Sequence, residues 1–302
     1  MTLAGYAVLV GVPVISSAWV NLLGFSEVQV GRVAGADLGG LSVGAVVTSL
    51  IISHISRRQL ILIGILIAVL SNAACISITS YEYVLWLRFL AGFGSGLITA
   101  TAVSCLGACS KPALAFNAML FAFAFSQAAE MHFLPMLSMQ NIYLTFIICF
   151  LIIIPFINVI PNLKGKEIMK LSANQEKNIV GGGSKEVPKY VIWFCLSAIV
   201  ITYVNIGAYW TYIELAAAKD DTDPDWVGNV LTWSSLCSLL GCLFATLLSN
   251  KFGLLRPLLV TLICQASIVG MLAQGITNVS ILVSVFSFNL LWIFIDVYQM
   301  ST

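Results

Sequence analysis

Ten apolar runs, each near the ~20 residues that a helix needs to cross a bilayer, dominate this sequence. They lie at roughly 3–23, 28–53, 60–79, 83–108, 113–137, 142–160, 190–215, 226–249, 257–275 and 279–302. Turn formers and charges separate them: Gly24-Phe25-Ser26-Glu27, Ser56-Arg57-Arg58, Ser80-Tyr81-Glu82, Ser110-Lys111-Pro112 and Ser138-Met139-Gln140-Asn141. The runs are continuous and too long for the ~10-residue alternating strands of an outer-membrane barrel. An all-α membrane protein with ten transmembrane helices follows. Only 9% of the 302 residues are charged, and 14 of those 27 fall within 161–189 and 216–226. A soluble fold of this size exposes too much surface for so few charges, which excludes a cytosolic enzyme, a secreted domain and a disordered chain. The net charge of +1 also argues against nucleic acid as a partner, because phosphate binding needs a basic face.

The first run lacks a basic leader, contains Pro13 and leads straight into the second, so it reads as a span and not as a cleaved signal. Lys and Arg mark the cytoplasmic side. With the N-terminus inside, Arg57, Arg58, Lys111, the lysines of 161–189, Lys251 and Arg256 all fall on inner loops. The outer loops then carry Glu27, Glu82, Asp220, Asp221, Asp223 and Asp225, with Lys219. Ten spans place both termini in the cytoplasm. Compact loops and the absence of a presequence point to a bacterial inner membrane.

The polar stretch 161–189, with Gly181-Gly182-Gly183-Ser184 and Pro188, reads as a flexible cytoplasmic linker. It divides a six-span bundle (1–160) from a four-span bundle (190–302). Its Gly-rich run lacks the spacing of a phosphate-binding loop. The two bundles are related by a shift of 197 residues. That shift lays Val30-Gly31-Arg32-Val33 on Val227-Gly228-Asn229-Val230, Gly44 on Gly241, His54 on Lys251 and Tyr6 on Tyr203.

A duplicated helical bundle joined by a polar linker is the plan of many secondary transporters. Two motifs make the resemblance specific. In span four, Arg88 is followed by Gly92, Gly94 and Gly96; after span eight, Asn250-Lys251-Phe252-Gly253 leads to Arg256-Pro257. Both are similar to signatures of the major facilitator superfamily, and Arg57-Arg58 resembles the matching turn after span two. The resemblance implies a major-facilitator-type bundle with its substrate between the halves, lined by spans one, four, seven and ten. The family plan has twelve spans, so this sequence reads as one shortened after the tenth.

Helical spacing places a polar or aromatic stripe on each of those four spans: Tyr6, Pro13, Ser17 and Asn21; Arg88, Gly92, Ser95 and Thr99; Thr202, Asn205, Tyr209 and Tyr212; Asn289, Trp292 and Asp296. Aromatics beside amides suit a small organic solute. An ionisable group at the bilayer centre costs ~2.5–3.5 kcal/mol and should find a partner inside the bundle. Depth along the spans sets Arg88 level with Asp37 and Glu130, so a buried pair of Arg88 with either acid is expected, with Asp296 lying nearer the cytoplasm. The functional reading is a proton-carrying carboxylate, Asp37 or Glu130, sensed by Arg88. The structural alternative is an ion pair that fixes helix register. Gly31, Gly35 and Gly39, and Gly92 and Gly96, form small-residue stripes for close helix approach.

The expected function is therefore secondary transport of a small organic solute by alternating access, coupled to protons. The alternatives are a non-transporting membrane component and an intramembrane enzyme built on the acidic loop 220–225. No enzyme activity, cofactor or metal site is expected, since neither the two histidines nor the eight cysteines have metal-ligand spacing.

Overall fold

The computed structural model describes residues 1–160, 204–217, 223–248 and 255–301. Six helices come first: α1 (Thr2–Leu23), α2 (Glu27–Ile51), α3 (Arg57–Ser77), α4 (Tyr81–Gly107), α5 (Pro112–Phe133) and α6 (Met139–Ile153). Short 3-10 turns follow α5 (Leu134–Met136) and α6 (Ile154–Val159). Then come α7 (204–217), α8 (Pro224–Leu248), α9 (Leu255–Gln274) and α10 (Asn278–Ser301). Every described helix falls on an expected span. Eight helices in the described residues are long and apolar enough to cross a bilayer. Linker residues 161–189, Tyr203, Lys251 and Gly253 lie outside the described residues.

Local chemistry sets the helix ends. Ser26 and Ser56 each accept from the backbone N–H three residues on, and Gln29 and Gln59 reach back to them, completing capping boxes. Ser138 caps α6 by accepting from the Asn141 N–H. These caps start the helices one to three residues earlier than the apolar runs suggest. Gly24 ends α1 in the left-handed region at φ 71°, with its own N–H and that of Phe25 donating back to Val20 and Trp19. Large apolar side chains such as Leu66, Leu70 and Val46 point outward at about 60% exposure, a surface that suits hydrocarbon and not water.

Glycines bring the helices together. Gly40 and Gly44 of α2 face the backbone of Phe89 and Phe93 in α4, while Gly92 and Gly96 of α4 face that of Asp37 and Leu41 in α2. A Cβ at any of these four positions would overlap the opposite backbone. Gly94 turns the other way and meets Gly64 and Ala68 of α3. The α2 stripe expected from sequence is corrected at two of its three positions: Gly31 lies against the Tyr212 side chain of α7, but Gly35 and Gly39 have open space around them, because the face of α2 that meets α4 runs through Gly40 and Gly44.

The same contact recurs in the second half. Gly241 of α8 faces the Leu290 carbonyl of α10, as Gly44 faces that of Phe93. The shift that lays Gly44 on Gly241 also lays Phe93 on Leu290. The α2–α4 and α8–α10 pairs are thus two copies of one packing. Between the halves, α2 meets α7 where Leu38 approaches Gly207, and Val10, Leu120 and Phe123 pack with Ala245 and Ile293.

Candidate transport site

Arg88 is fully buried, and its guanidinium is spoken for. Its Nε donates to Asp37 Oδ2 at 2.9 Å, one Nη donates to the same oxygen, and the other donates to Asn72 Oδ1 at 2.8 Å. Asn72 in turn donates to the Ala68 carbonyl. The Tyr143 ring lies 5.7 Å from the guanidinium carbon, and the Trp19 indole N–H donates to the Tyr143 hydroxyl at 3.0 Å. Five helices, α1, α2, α3, α4 and α6, meet in this knot. Gly92 makes it possible, since a Cβ there would strike the Asp37 backbone and carboxylate. A buried charge survives when paired and hydrogen-bonded, and here both conditions hold. Sequence offered Arg88 two partners; the structure brings it to Asp37 and not to Glu130.

The rest of the α4 stripe is likewise turned into helix packing. Thr99 is buried against Gly5 of α1, beside the Ser95 carbonyl. The face of α4 that carries its small residues is the one pressed against α1 and α2, and the Thr99 hydroxyl is buried there without a hydrogen-bond partner. Asn21 is exposed near the Gly24 end of α1. Arg57 donates to Ser104 Oγ at 2.8 Å and to Cys105 Sγ, and Arg58 donates to the Ile160 and Asn158 carbonyls. Both arginines tie the start of α3 to neighbouring helix ends within the first half. Arg256 is exposed.

Of the remaining stripe residues, Tyr6, Tyr209, Asn289, Trp292 and Asp296 meet along a seam between the halves, formed by α1, α5, α7 and α10. Six aromatic rings run through it. Tyr6 stands edge-on to Phe123, Phe123 to Trp292 and Trp292 to Trp210, at centroid separations of 6.1, 6.4 and 6.3 Å. Trp210 and Tyr209 stack on Phe288 at 6.2 and 4.1 Å. Trp210 also donates its indole N–H across the seam to the Val10 carbonyl at 3.2 Å, in the turn of α1 beside Pro13. Tyr209 donates to Ser284 Oγ at 3.2 Å. Asn289 links three helices: it donates to Ser234 Oγ of α8 at 2.9 Å and accepts from Gln127 Nε2 of α5 at 3.3 Å. Tyr212 is turned away from the rings, its hydroxyl donating to the Glu27 carbonyl at 3.4 Å. Asn205 is exposed at the start of the described part of α7.

Two carboxylates flank the rings. Asp296 lies beside Tyr6 and Trp292. Glu214 faces the Ser17 hydroxyl of α1, and its Oε2 is shut off from solvent without a hydrogen-bond partner. The Trp292 indole nitrogen is also buried and unpartnered. In the described residues the only salt bridge is Arg88–Asp37, so neither seam acid meets a cation there. Glu214, Trp210, Phe288, Phe123, Gln127 and Asn72 are the site residues that sequence reasoning passed over. Glu214 could have been found: it is an acid in an apolar run, and the 197-residue shift lays Ser17 upon it.

Glu130 lies on α5 beyond Gln127, with its carboxylate beside Gly11 of α1. It borders a cavity of about 310 Å³ between α1, α5 and α6. Ser126 donates to its Oε1 at 3.2 Å, and its Oε2 is buried without a partner. The described residues hold no group of three His, Cys, Asp or Glu placed to bind a metal ion.

Comparison with known proteins fits this architecture. No curated protein matches the chain. Among solved structures, the nucleoside transporter NupG is similar, with a TM-score of 0.68 at 13% identity over 99% of this chain and 78% of that one; at that identity the likeness speaks for the fold. The family model of the Major Facilitator Superfamily matches residues 1–301, and with the apolar helices and the repeated packing it establishes that this chain is an integral, multi-pass membrane protein belonging to the Major Facilitator Superfamily of transporters.

Proposed function

We propose that this protein is a secondary active transporter that moves a small organic solute by alternating access at the α1–α5–α7–α10 seam, coupled to protons. One observation carries the reading: Glu214 and Asp296 flank an aromatic seam between two related bundles, and neither has a cationic partner among the described residues. Ionised carboxylates in such surroundings are costly. A proton or a solute bearing hydrogen-bond donors relieves that cost, so loading and unloading them drives the seam to open and close. Asp37 and Arg88, which satisfy each other, act as a fixed brace within the first bundle in this reading. The stacked rings supply contact area for the solute, and Asn289 and Tyr209 supply its polar contacts.

The distribution of Lys and Arg supports an orientation with both termini cytoplasmic, in a bacterial inner membrane. The test is uptake into proteoliposomes holding only this chain, screened with neutral, anionic and cationic solutes under an imposed pH gradient. Gradient-driven accumulation that Glu214→Gln abolishes supports the reading. No uptake of any solute by the intact chain, with the protein shown folded, overturns it.

A further inference from the structure

The cavity beside Glu130 adjoins the seam, but none of the six seam rings lines it. Its wall is apolar apart from one hydroxyl, one thiol and one carboxylate: Leu3, Ala4 and Ala7 of α1 face Cys149 and Ile153 of α6, while Ser126 and Glu130 look in from α5. Of the carboxylate's two oxygens, Ser126 satisfies one, and the other is buried with no donor. Two further lining side chains, Ile152 and Phe156, are each 58% exposed. They stand on the outward surface that faces lipid, so the cavity opens sideways into the bilayer.

These features select a ligand. An anion is repelled by Glu130. A purely apolar molecule would seal the free oxygen away from any donor, which costs more than leaving it open. A protonated amine on an apolar body of modest size offers the missing N–H donor, adds charge to the hydrogen bond and reaches the opening by dissolving in the membrane. We propose that the α1–α5–α6 cavity is a membrane-accessible binding site for a lipophilic amine, with Glu130 as its counter-ion. The chemistry is the same for a free amine and for the amine of a lipid headgroup.

The test uses the full chain in phosphatidylcholine nanodiscs and tetracaine, a fluorescent lipophilic tertiary amine, as the probe. Butyl 4-(butylamino)benzoate, which lacks the tertiary amine, is the neutral control. Saturable tetracaine binding is expected, weakened about tenfold or more by Glu130→Gln, as the loss of a charge-assisted hydrogen bond implies. Ala4→Leu, which fills the cavity and leaves the acid in place, weakens it equally. Nanodiscs containing phosphatidylethanolamine separate the two sources: competition there assigns the occupant to the lipid, and unchanged affinity assigns it to a free amine. Equal binding of the neutral ester, unchanged affinity in both variants, or no binding in phosphatidylcholine overturns the proposal. None of these outcomes depends on transport.

Discussion

Ser17 of α1 and Glu214 of α7 face each other at equivalent places in two related helices: they are 197 residues apart, the same interval that separates Gly44 from Gly241. A residue that meets its own repeat-mate lies close to the pseudo-symmetry axis of a duplicated bundle. The copies have diverged there, one to a hydroxyl and one to an acid. Any motion that parts the halves at this level separates them.

The first prediction follows from that pair. Glu214→Gln keeps the size and polarity of the side chain facing Ser17 and removes the ionisable group, so solute exchange should survive while accumulation against a gradient is lost. Ser17→Ala removes only a neutral hydroxyl beside the acid, a change of about 1 kcal/mol, so it should leave coupling intact and change uptake only a fewfold. Counterflow and pH-driven uptake in proteoliposomes distinguish these outcomes. If Glu214→Gln accumulates solute normally, coupling does not pass through this acid.

The second concerns Arg88. Removing one partner from a buried pair strands the other, at a cost of about 3–5 kcal/mol. Arg88→Ala should therefore lower the thermal stability of the purified protein far more than the double variant Asp37→Asn with Arg88→Gln, which leaves no stranded charge. Uptake by the double variant should persist, because the knot lies inside the first bundle, away from the seam. Thermal unfolding in detergent together with an uptake assay checks both halves of the claim.

The third contrasts glycines. Gly92→Ala and Gly241→Ala each push a Cβ into an opposing helix and should destabilise clearly. Gly35→Ala meets nothing within 4 Å and should be neutral or stabilising by up to about 1 kcal/mol, through helix propensity and a less flexible unfolded chain. Parallel melting curves of the three variants decide it. Equal destabilisation by all three would mean that helix approach does not govern these positions.

That contrast shows what the sequence could and could not say. The helices were legible, since apolar run length and the Ser26 and Ser56 caps are local signals. The duplication was legible through Gly44 and Gly241. That Arg88 must be paired followed from its place in an apolar helix, but the choice of Asp37 over Glu130 did not. Depth along the membrane comes from counting residues; which way a side chain points around its helix comes from packing. Gly92, by letting α2 approach, brought Asp37 to Arg88, and Gly5 of α1 brought α1 close to Thr99. Glu214 escaped notice for a similar reason. It stands one residue from the expected end of its span at 215, where an acid ordinarily reaches water, whereas the described helix continues to 217.

The fourth prediction tests the seam itself. Gln127 donates to Asn289 across the two halves, while Asn289 is separately anchored to Ser234 within the second. Gln127→Leu removes only the crossing bond. The expected consequence is a shift in the balance between closed and open seam of a fewfold to about tenfold, the range a bond of about 1 kcal/mol commands, with little loss of stability in either half. Trp210 and Trp292 report on it, because parting the seam wets their buried indoles and changes their fluorescence. Gln127→Leu should raise the quenching of these tryptophans by acrylamide and alter the maximal rate of uptake more than its half-saturation. If quenching and rate both match the unmodified protein, the bond does not hold the seam closed. Motion would then have to be governed by the stacked rings and the Trp210–Val10 contact.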